Sequence, residues 1–370
     1  MLMRRPRILF YAVNGLGLGH VTRLIAIARE VRRSVPEAEI LFLTSSEAES
    51  VIYREGFAAF KVPSKTLRAQ AHIRPTTYAR LLQTITLNLM AAFNPHILVV
   101  DTFPAGVIQE LLPVLRWETR KVFVYRVQRP EIATSALMQN TLQLYDLALI
   151  PHHADEEDTP LPPGLECVWT GPILIRDRSE ALSCGSARIA LGLPEASADN
   201  SLPKIIYITF GGGGDTEMNR AMTQSIEALI ELPSVHLAVA CAPLYRGKLP
   251  RHPRITLVEY YPMAEMLAAY DAAVSAVGYN TTMELLHQGV PAVFIPFTRQ
   301  VDDQEARAQR IAVAGAGLCL PDLEPDALRS AVLHLLDPTI AAAIRQAALE
   351  LVPDSGAVRA SQAILALLPE

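Results

Sequence analysis

Short apolar runs alternate along the chain with segments that have the 3.6-residue spacing of amphipathic helices. In the first half these runs predict strands at residues 7–13, 39–44, 97–101, 121–125 and 147–150. In the second half they predict strands at residues 204–210, 235–241, 255–259, 272–275 and 292–296. Strands that alternate with helices are typical of βαβ units and a parallel sheet.

The alternating pattern pauses near residues 171–176, and a new strand, glycine and helix series begins after them. We therefore predict two Rossmann-like α/β domains, residues 1–172 and residues 173–370. In open parallel sheets ligands bind at the carboxyl ends of the strands, so we expect the two sheets to face a central cleft. The last helix, predicted at residues 356–368, is expected to pack on one of the domains, with the N-terminal domain as a candidate.

Composition narrows the classes of partner. Apolar residues make up 50% of the chain and charged residues 19%, which suits sheets covered on both faces. The net charge of −5 argues against a nucleic-acid-binding surface. The four cysteines match no zinc motif or disulfide framework, and no run reaches the roughly 18 apolar residues of a membrane span. These features favour a cytoplasmic protein, with peripheral membrane contact left open.

Two glycine-rich loops each join a predicted strand to a predicted helix, GLGLGH at residues 15–20 and GGGGD at residues 211–215. Glycines here let backbone N–H groups approach a ligand, and the helix N-terminus favours an anion such as a diphosphate. Tight turns that serve only packing are the alternative. Neither loop reads GxGxxG, which argues against an oxidoreductase. The candidate diphosphate-binding residues are Gly17, Gly19, Gly211, Gly212 and Gly213.

The most specific segment is residues 260–308, which contains GYNTTME, then GVP, then DQ. It resembles the nucleotide-sugar-binding region of GT-B glycosyltransferases of the MurG type and of the UDP-dependent plant and macrolide types. GLGLGH and TGPILIRD resemble further MurG-type motifs. There are two departures. Ala276 stands where the plant pattern has a phosphate-contacting histidine, and Gln304-Glu305 stands where the MurG type has two glutamines.

The resemblance implies a UDP-sugar donor and assigns roles that suit the residue types. The carboxylate of Glu284 would accept from both ribose hydroxyls. Asn280 and Thr281, after Gly278, would contact phosphate at a helix start, although simple capping is the alternative. Asp303 and Gln304 would contact the sugar, and the loop containing Tyr261 would contact the uracil. Solvated or loop positions are the alternatives for Glu284 and for the Asp303-Gln304 pair.

Transfer of a sugar to a hydroxyl needs a general base, and His20 at the end of the first glycine loop is the candidate. The positive end of the following helix disfavours imidazolium. In the resembling plant family the corresponding histidine is the base and an aspartate orients it, which is the role we expect for Asp101. The alternatives are a diphosphate or capping contact for His20 and a helix cap for Asp101. His152, His153 and the acidic run 155–158 lie in a Pro-rich loop without a second cluster, so we expect no metal or other cofactor.

The short motif GLGHVTR, which ends at Arg23, also resembles the UDP-sugar hydrolases of nonulosonic acid biosynthesis. That hydrolase is the first alternative to a transferase that works with inversion, and a non-catalytic nucleotide-sugar-binding protein is the second. Residues 65–93 are basic and then apolar, in the region where related enzymes receive the acceptor. An apolar or lipid-linked acceptor and a packed helix with solvated arginines are both open readings of this segment.

Overall fold

The computed structural model describes residues 5–13, 18–126, 130–154, 159–194, 203–211, 216–241, 250–298 and 303–369. The chain divides into two compact units. Unit 1 is Met1–Ile175 with Ser355–Glu370, and unit 2 is Arg176–Asp354. The division falls within the stretch where the strand and helix pattern pauses.

Unit 1 contains a parallel sheet of seven strands in the order β3-β2-β1-β4-β5-β6-β7. The strands are β1 (Arg7–Ala12), β2 (Glu39–Thr44), β3 (Ala58–Lys61), β4 (Ile97–Asp101), β5 (Arg120–Val124), β6 (Leu147–Ile150) and β7 (Glu166–Trp169). The central strands are buried on both faces, and every residue of β4 is buried. This two-sided burial explains why the central strands read as continuous apolar runs.

Helices cover this sheet, together with a 3₁₀ turn at Val114–Arg116. They are α1 (Gly19–Ser34), α2 (Ser50–Arg54), α3 (Lys65–Gln70), α4 (Pro75–Phe93), α5 (Pro130–Ala133), α6 (Ala136–Leu142) and the last helix of the chain, α13 (Ala357–Leu365). Helix α13 packs against α1. Gly356 allows this return, because a Cβ at this position would lie 2.6 Å from the carbonyl oxygens of Thr170 and Gly171. The backbone N–H of Gly356 also donates to Pro172 O at 2.7 Å.

Unit 2 contains a parallel sheet of six strands in the order β10-β9-β8-β11-β12-β13. The strands are β8 (Lys204–Thr209), β9 (Val235–Ala240), β10 (Ile255–Val258), β11 (Ala272–Ala276), β12 (Ala292–Ile295) and β13 (Leu318–Cys319). The helices are α7 (Cys184–Ala190), α8 (Thr216–Leu229), α9 (Tyr279–His287), α10 (Gln304–Val313), α11 (Pro325–Leu335) and α12 (Pro338–Leu351). Three 3₁₀ turns lie at Arg178–Glu180, Met263–Glu265 and Leu267–Ala269.

All ten predicted strands are present, with ends that differ by one residue or less at each side. Strands β3, β7 and β13 were not predicted from the sequence. Each of these is an edge strand. Strand β3 is mostly exposed, and β7 is exposed at its first residue and half-buried at the others. An edge strand contacts the core on fewer sides, so it needs no continuous apolar run.

None of the described helices is by itself long and apolar enough to span a membrane. Helices α11 and α12 together meet the length and composition criteria, but they are bent by 86° at the break between them. Leu328, Val332 and Leu335 of α11 and Ile344 of α12 belong to the hydrophobic core of unit 2.

Candidate active site

His20 and Asp101 form a buried hydrogen-bonded pair in unit 1. His20 is the second residue of α1, which follows β1, and Asp101 is the last residue of β4. Strands β1 and β4 are parallel neighbours, so their carboxyl ends lie at the same edge of the sheet. His20 Nδ1 is 2.7 Å from Asp101 Oδ1. The structure therefore brings together the two residues that the sequence analysis selected for catalysis.

Two further side chains contact Asp101. The guanidinium Nη1 of Arg23, one turn along α1 from His20, is 3.3 Å from Asp101 Oδ2. The hydroxyl of Thr102 donates to Asp101 Oδ1 at 2.5 Å and lies 3.1 Å from His20 Nδ1. Burial raises the pKa of the Asp101 carboxyl, but the positive charge of Arg23, followed by His20 and Thr102, lowers it below its ordinary value. Asp101 is therefore an ionised carboxylate at neutral pH.

The chain turns sharply directly after Asp101. Thr102 has a φ of 64°, and Phe103 N donates to Asp101 O at 2.8 Å across it. This three-residue turn with positive φ is a rare and strained conformation, and it is especially unfavourable for a β-branched residue. Such strain persists where the surroundings hold it in place, and it concentrates at functional sites. After this turn the centroid of the Phe103 ring lies 6.3 Å from that of the His20 ring, and 39% of Phe103 is exposed.

A buried carboxylate, Glu110, holds the loop that follows this turn. Glu110 accepts from Val107 N at 3.1 Å, from Ile108 N at 2.7 Å and from the hydroxyl of Tyr11 on β1. A Cβ at Gly106 would lie 2.5 Å from the Glu110 carboxyl carbon, so glycine is required there. The loop is thus attached to the sheet through Tyr11 of β1, the strand that lies beside β4.

Unit 2 carries the candidate donor-binding residues at the carboxyl ends of its strands. Gly278 precedes α9, which begins after β11, and Asn280 and Thr281 lie in the first turn of this helix. Because Gly278 has no side chain that could cap the helix, the N–H groups of the first turn are suitable for binding an anion. Gly211, with a φ of 86°, follows β8. Gly17, Gly212 and Gly213 lie outside the described residues, whereas Gly19 is the first residue of α1.

Glu284 lies one turn further along α9 and is partly buried. Burial raises the pKa of its carboxyl to about 7, and the charge of Arg176 opposes this rise. Arg176 is held by Glu265, with Nε 2.5 Å from Oε1, and Tyr260 donates to the other Glu265 oxygen at 2.6 Å. This network connects Arg176 with the loop that contains Tyr261, the predicted uracil-contacting position.

Asp303 and Gln304 have local structural contacts at the start of α10. Asp303 accepts from Ala306 N at 3.0 Å and caps the helix. Gln304 is buried, and its Oε1 accepts from Phe297 N at 3.0 Å. The neighbouring Glu305 is exposed. Asp303 therefore caps α10, a role that was not predicted, and a structural contact uses the Gln304 carbonyl oxygen.

The histidine pair near the end of β6 shows hydrogen bonds within its own loop. His152 Nδ1 lies 2.9 Å from His153 O, and Thr159 Oγ1 lies 3.3 Å from His152 Nε2. The acidic residues 155–158 lie outside the described residues. Within the part of the chain that the structure describes, no three His, Cys, Asp or Glu residues are grouped so that they could hold a metal ion.

Comparison with known proteins identifies the fold and the class of enzyme. Residues 206–355 match the "Glycosyltransferase family 28 C-terminal domain". Over 350 residues the chain is 28% identical to the UDP-N-acetylglucosamine–N-acetylmuramyl-(pentapeptide) pyrophosphoryl-undecaprenol N-acetylglucosamine transferase of Salinibacter ruber. This alignment covers 91% of the chain and 90% of that protein.

Two solved structures share the architecture. The glycotransferase of kitacinnamycin superposes with a TM-score of 0.65 and 17% identity over 99% of this chain and 100% of that one. MurG of Acinetobacter baumannii superposes with a TM-score of 0.58 and 15% identity over 98% of this chain and 100% of that one. The chain is a glycosyltransferase with the GT-B fold. The glycosyltransferase resemblance drawn from residues 260–308 is thereby confirmed.

Three contributors to these sites were not predicted from the sequence. Arg23 was noted only as the end of a motif, and Thr102 and Arg176 were given no role. A signal existed for Arg23, since it follows His20 by three residues and so shares a helix face with it. No sequence pattern indicates the turn at Thr102 or the contact between Arg176 and Glu265.

Proposed function

We propose that this glycosyltransferase transfers a hexose from a UDP-sugar to an acceptor hydroxyl, with inversion and without a metal ion, and that His20 is the general base. The observation that carries the proposal is the 2.7 Å contact between His20 Nδ1 and the ionised carboxylate of Asp101. A carboxylate can only accept a hydrogen bond. His20 must therefore donate from Nδ1, which leaves the lone pair of Nε2 to accept a proton.

The proposed step is a single displacement. Nε2 of His20 takes the proton of the acceptor hydroxyl, and the hydroxyl oxygen forms a bond to the anomeric carbon of the sugar. The bond between that carbon and the β-phosphate oxygen breaks, and UDP leaves with the electron pair. One displacement at this carbon inverts its configuration. Asp101 stabilises the imidazolium that forms, as the aspartate does in other His–Asp pairs.

The proposed donor site lies on unit 2, where the family 28 domain matches. Glu284 accepts from the two ribose hydroxyls, and the start of α9 at Gly278, Asn280 and Thr281 binds the diphosphate. Gly211, which follows β8 in the same unit, is also proposed for the diphosphate site. The loop of Tyr261 contacts the uracil, and the segment that begins with Asp303 contacts the sugar. Helix N-termini then offset the charge of the leaving UDP, so the reaction needs no metal.

For the acceptor we propose a lipid-linked or otherwise apolar molecule. The similarity to a transferase whose name gives a pyrophosphoryl-undecaprenol derivative as its acceptor supports this proposal. Helix α4 supports it as well. Tyr78, Leu82 and Met90 of this helix are buried, whereas Leu81 is 45% exposed. Phe103, which follows β4 and lies beside His20, is 39% exposed. We place the enzyme in the cytoplasm with peripheral contact at the inner face of the membrane.

A direct test combines ligand binding with product analysis. UDP should raise the melting temperature more than UMP, because the diphosphate and the ribose both gain contacts. A ligand at about 100 times its Kd stabilises the native state by about 2.7 kcal/mol. UDP-sugars are then incubated with undecaprenyl-linked, phenolic and sugar acceptors, and the products are identified by mass spectrometry. Absence of stabilisation by UDP and of every glycosylated product would refute the proposal.

A further inference from the structure

We propose that Arg23 is a positioning residue for the transfer reaction, acting through Asp101 to keep the His20 proton on Nδ1 and Nε2 available as the base. This inference rests on the proposed role of His20. It adds a residue that contacts neither the donor nor the acceptor but sets the pH range over which the base works.

The geometry distributes the two Asp101 oxygens between different partners. Oδ1 receives His20 Nδ1 at 2.7 Å and the Thr102 hydroxyl at 2.5 Å. Oδ2 faces Arg23 Nη1 at 3.3 Å. The Asp101 side chain is fully buried, and that of Arg23 is 2% exposed. A pair so deeply buried is screened very little by solvent or salt.

Burial of this carboxylate creates the need for a nearby cation. Burial alone raises the pKa of Asp101, and the charge of Arg23 is the strongest influence that lowers it. A protonated Asp101 could donate to Nδ1, which would favour the tautomer with the proton on Nε2. A His20 in that tautomer cannot accept a proton from the acceptor. Arg23 thus excludes the inactive tautomer by keeping Asp101 ionised.

The strained turn at Thr102 gives this arrangement a second support. Its left-handed φ of 64° coincides with a hydroxyl that contacts both Asp101 and His20. Glu110, bound to Tyr11 and to the N–H groups of residues 107 and 108, anchors the loop behind it. Aspartate, threonine and histidine are therefore held in one orientation relative to Arg23.

Several charged or titratable groups on the neighbouring elements have partners elsewhere. Arg120 and Lys121 of β5 bind Asp146, and Arg359 of α13 donates to Trp169 O. Tyr11 of β1 is bonded to Glu110. Arg23 and His20 are the charged groups that act on the Asp101 pKa. Removal of Arg23 therefore removes the main cation beside the pair.

The direction of the effect does not depend on which member of the pair binds the first proton. Without a cation beside it, the Asp101–His20 pair binds a proton more readily, and that proton inactivates the base whichever member holds it. A charge within about 4–6 Å shifts a carboxyl pKa by about 1–3 units. Arg23→Met should therefore move the acid limb of the kcat profile up by about 1–3 pH units. At a pH on that limb, kcat falls at least tenfold.

The experiment compares three single variants by kcat, donor KM and pH profile. Arg23→Met keeps an apolar stem without the charge, and Arg23→Lys restores a positive charge. Arg29→Met is the matched control. Arg29 lies on the same helix, roughly 9 Å further along than Arg23, and its substitution removes the ion pair with Glu55. We expect Arg23→Met to shift the acid limb, Arg23→Lys to return it towards wild type, and Arg29→Met to leave it in place. Donor KM should change little in all three.

NMR of ¹³C,¹⁵N-histidine-labelled protein provides a readout that needs no activity. In Arg23→Met the ¹⁵N shifts should show a proton on His20 Nε2 under conditions where the wild type carries it on Nδ1 alone. If the wild-type enzyme transfers no sugar, the proposed function fails, yet the NMR comparison still decides the role of Arg23. An unchanged position of the His20 proton and an unshifted acid limb in Arg23→Met, or no advantage of Lys over Met at this position, would overturn the inference.

A double variant covers the case in which Arg23→Met does not fold. Arg23→Met with Asp101→Asn removes both buried charges, so no uncompensated ion remains. We expect it to fold and to match Asp101→Asn alone in kcat and in the His20 nitrogen shifts, because Arg23 acts through Asp101. A kcat well below that of Asp101→Asn would show that Arg23 serves another purpose and would overturn the inference.

Discussion

The backbone N–H of Phe297 donates to Gln304 Oε1 at 3.0 Å, and this bond joins the end of β12 to the start of α10. Gln304 is 4% exposed. Gln304→Ala would remove this buried hydrogen bond, which costs about 1–3 kcal/mol. We expect the free energy of unfolding, measured in urea, to fall by that amount even without ligand.

The matched control for Gln304 is its neighbour Glu305, which is exposed. Glu305→Ala should change the free energy of unfolding by less than about 0.5 kcal/mol, as surface substitutions usually do. If the two alanine variants are equally stable and only donor affinity separates them, Gln304 serves the sugar rather than the fold.

The central strands and the residues at their carboxyl ends could be predicted from sequence because burial on two faces requires continuous apolar runs. Asp101 stood out as the polar residue that ends such a run. The edge strands β3, β7 and β13 lack that signal. Contacts such as Arg23 with Asp101, Arg176 with Glu265 and Gln304 with Phe297 depend on how distant segments pack. No local spacing encodes those contacts.

Glu284→Ala tests the ribose contact. If this carboxylate holds both ribose hydroxyls, its loss should weaken UDP binding by about 1.5–3 kcal/mol, the range for hydrogen bonds to charged groups. Isothermal titration calorimetry measures the change, and the acceptor KM should stay within about twofold because the proposed acceptor side is on unit 1. Wild-type UDP affinity in this variant would remove Glu284 from the donor site.

The pH dependence of stability provides a separate test of Glu284. Burial raises the pKa of its carboxyl to about 7 in the folded protein, from an ordinary value of 4.5. The folded state therefore binds the proton more tightly, and the resulting stability, complete below pH 4.5, is lost as the pH rises through 7. Glu284→Gln cannot ionise. The wild type should lose more unfolding free energy than this variant between pH 5 and 8, by about 1–3 kcal/mol.

Urea unfolding at several pH values between 5 and 8 measures this difference, and the variant should be the more stable protein at pH 8. Arg176 opposes the rise in the pKa of Glu284. Arg176→Met, in which Glu284 is retained, should therefore make the free energy of unfolding depend more strongly on pH than in the wild type. Parallel stability curves for the wild type and Glu284→Gln would mean that the carboxyl titrates at its ordinary pKa.

The mechanism also predicts that divalent ions are dispensable. Helix N-termini and side chains are proposed to offset the charge of the leaving UDP, so activity should persist in EDTA. His152→Ala removes a side chain that lies close to His153 O and to Thr159. This variant should keep the wild-type donor KM and, like the wild type, remain active in EDTA. Loss of activity in chelator, restored by one divalent ion, would contradict the metal-independent step.

The attacking group decides between a transferase and a UDP-sugar hydrolase, and His20 is involved in both cases. His20→Ala should lower kcat by about 10²–10⁴, the usual contribution of general acid–base catalysis, while UDP affinity changes much less. A transferase must exclude water from the anomeric carbon. It should release UDP slowly from the UDP-sugar until an acceptor is added, and then rapidly. The centroid of the exposed Phe103 ring is 6.3 Å from that of the His20 ring. Phe103 would contact an apolar acceptor, whereas an attacking water molecule needs no such contact. Phe103→Ala should accordingly raise the acceptor KM and leave acceptor-free UDP release unchanged. Rapid release of free sugar that is indifferent to acceptor, and is abolished in His20→Ala, would identify a hydrolase instead.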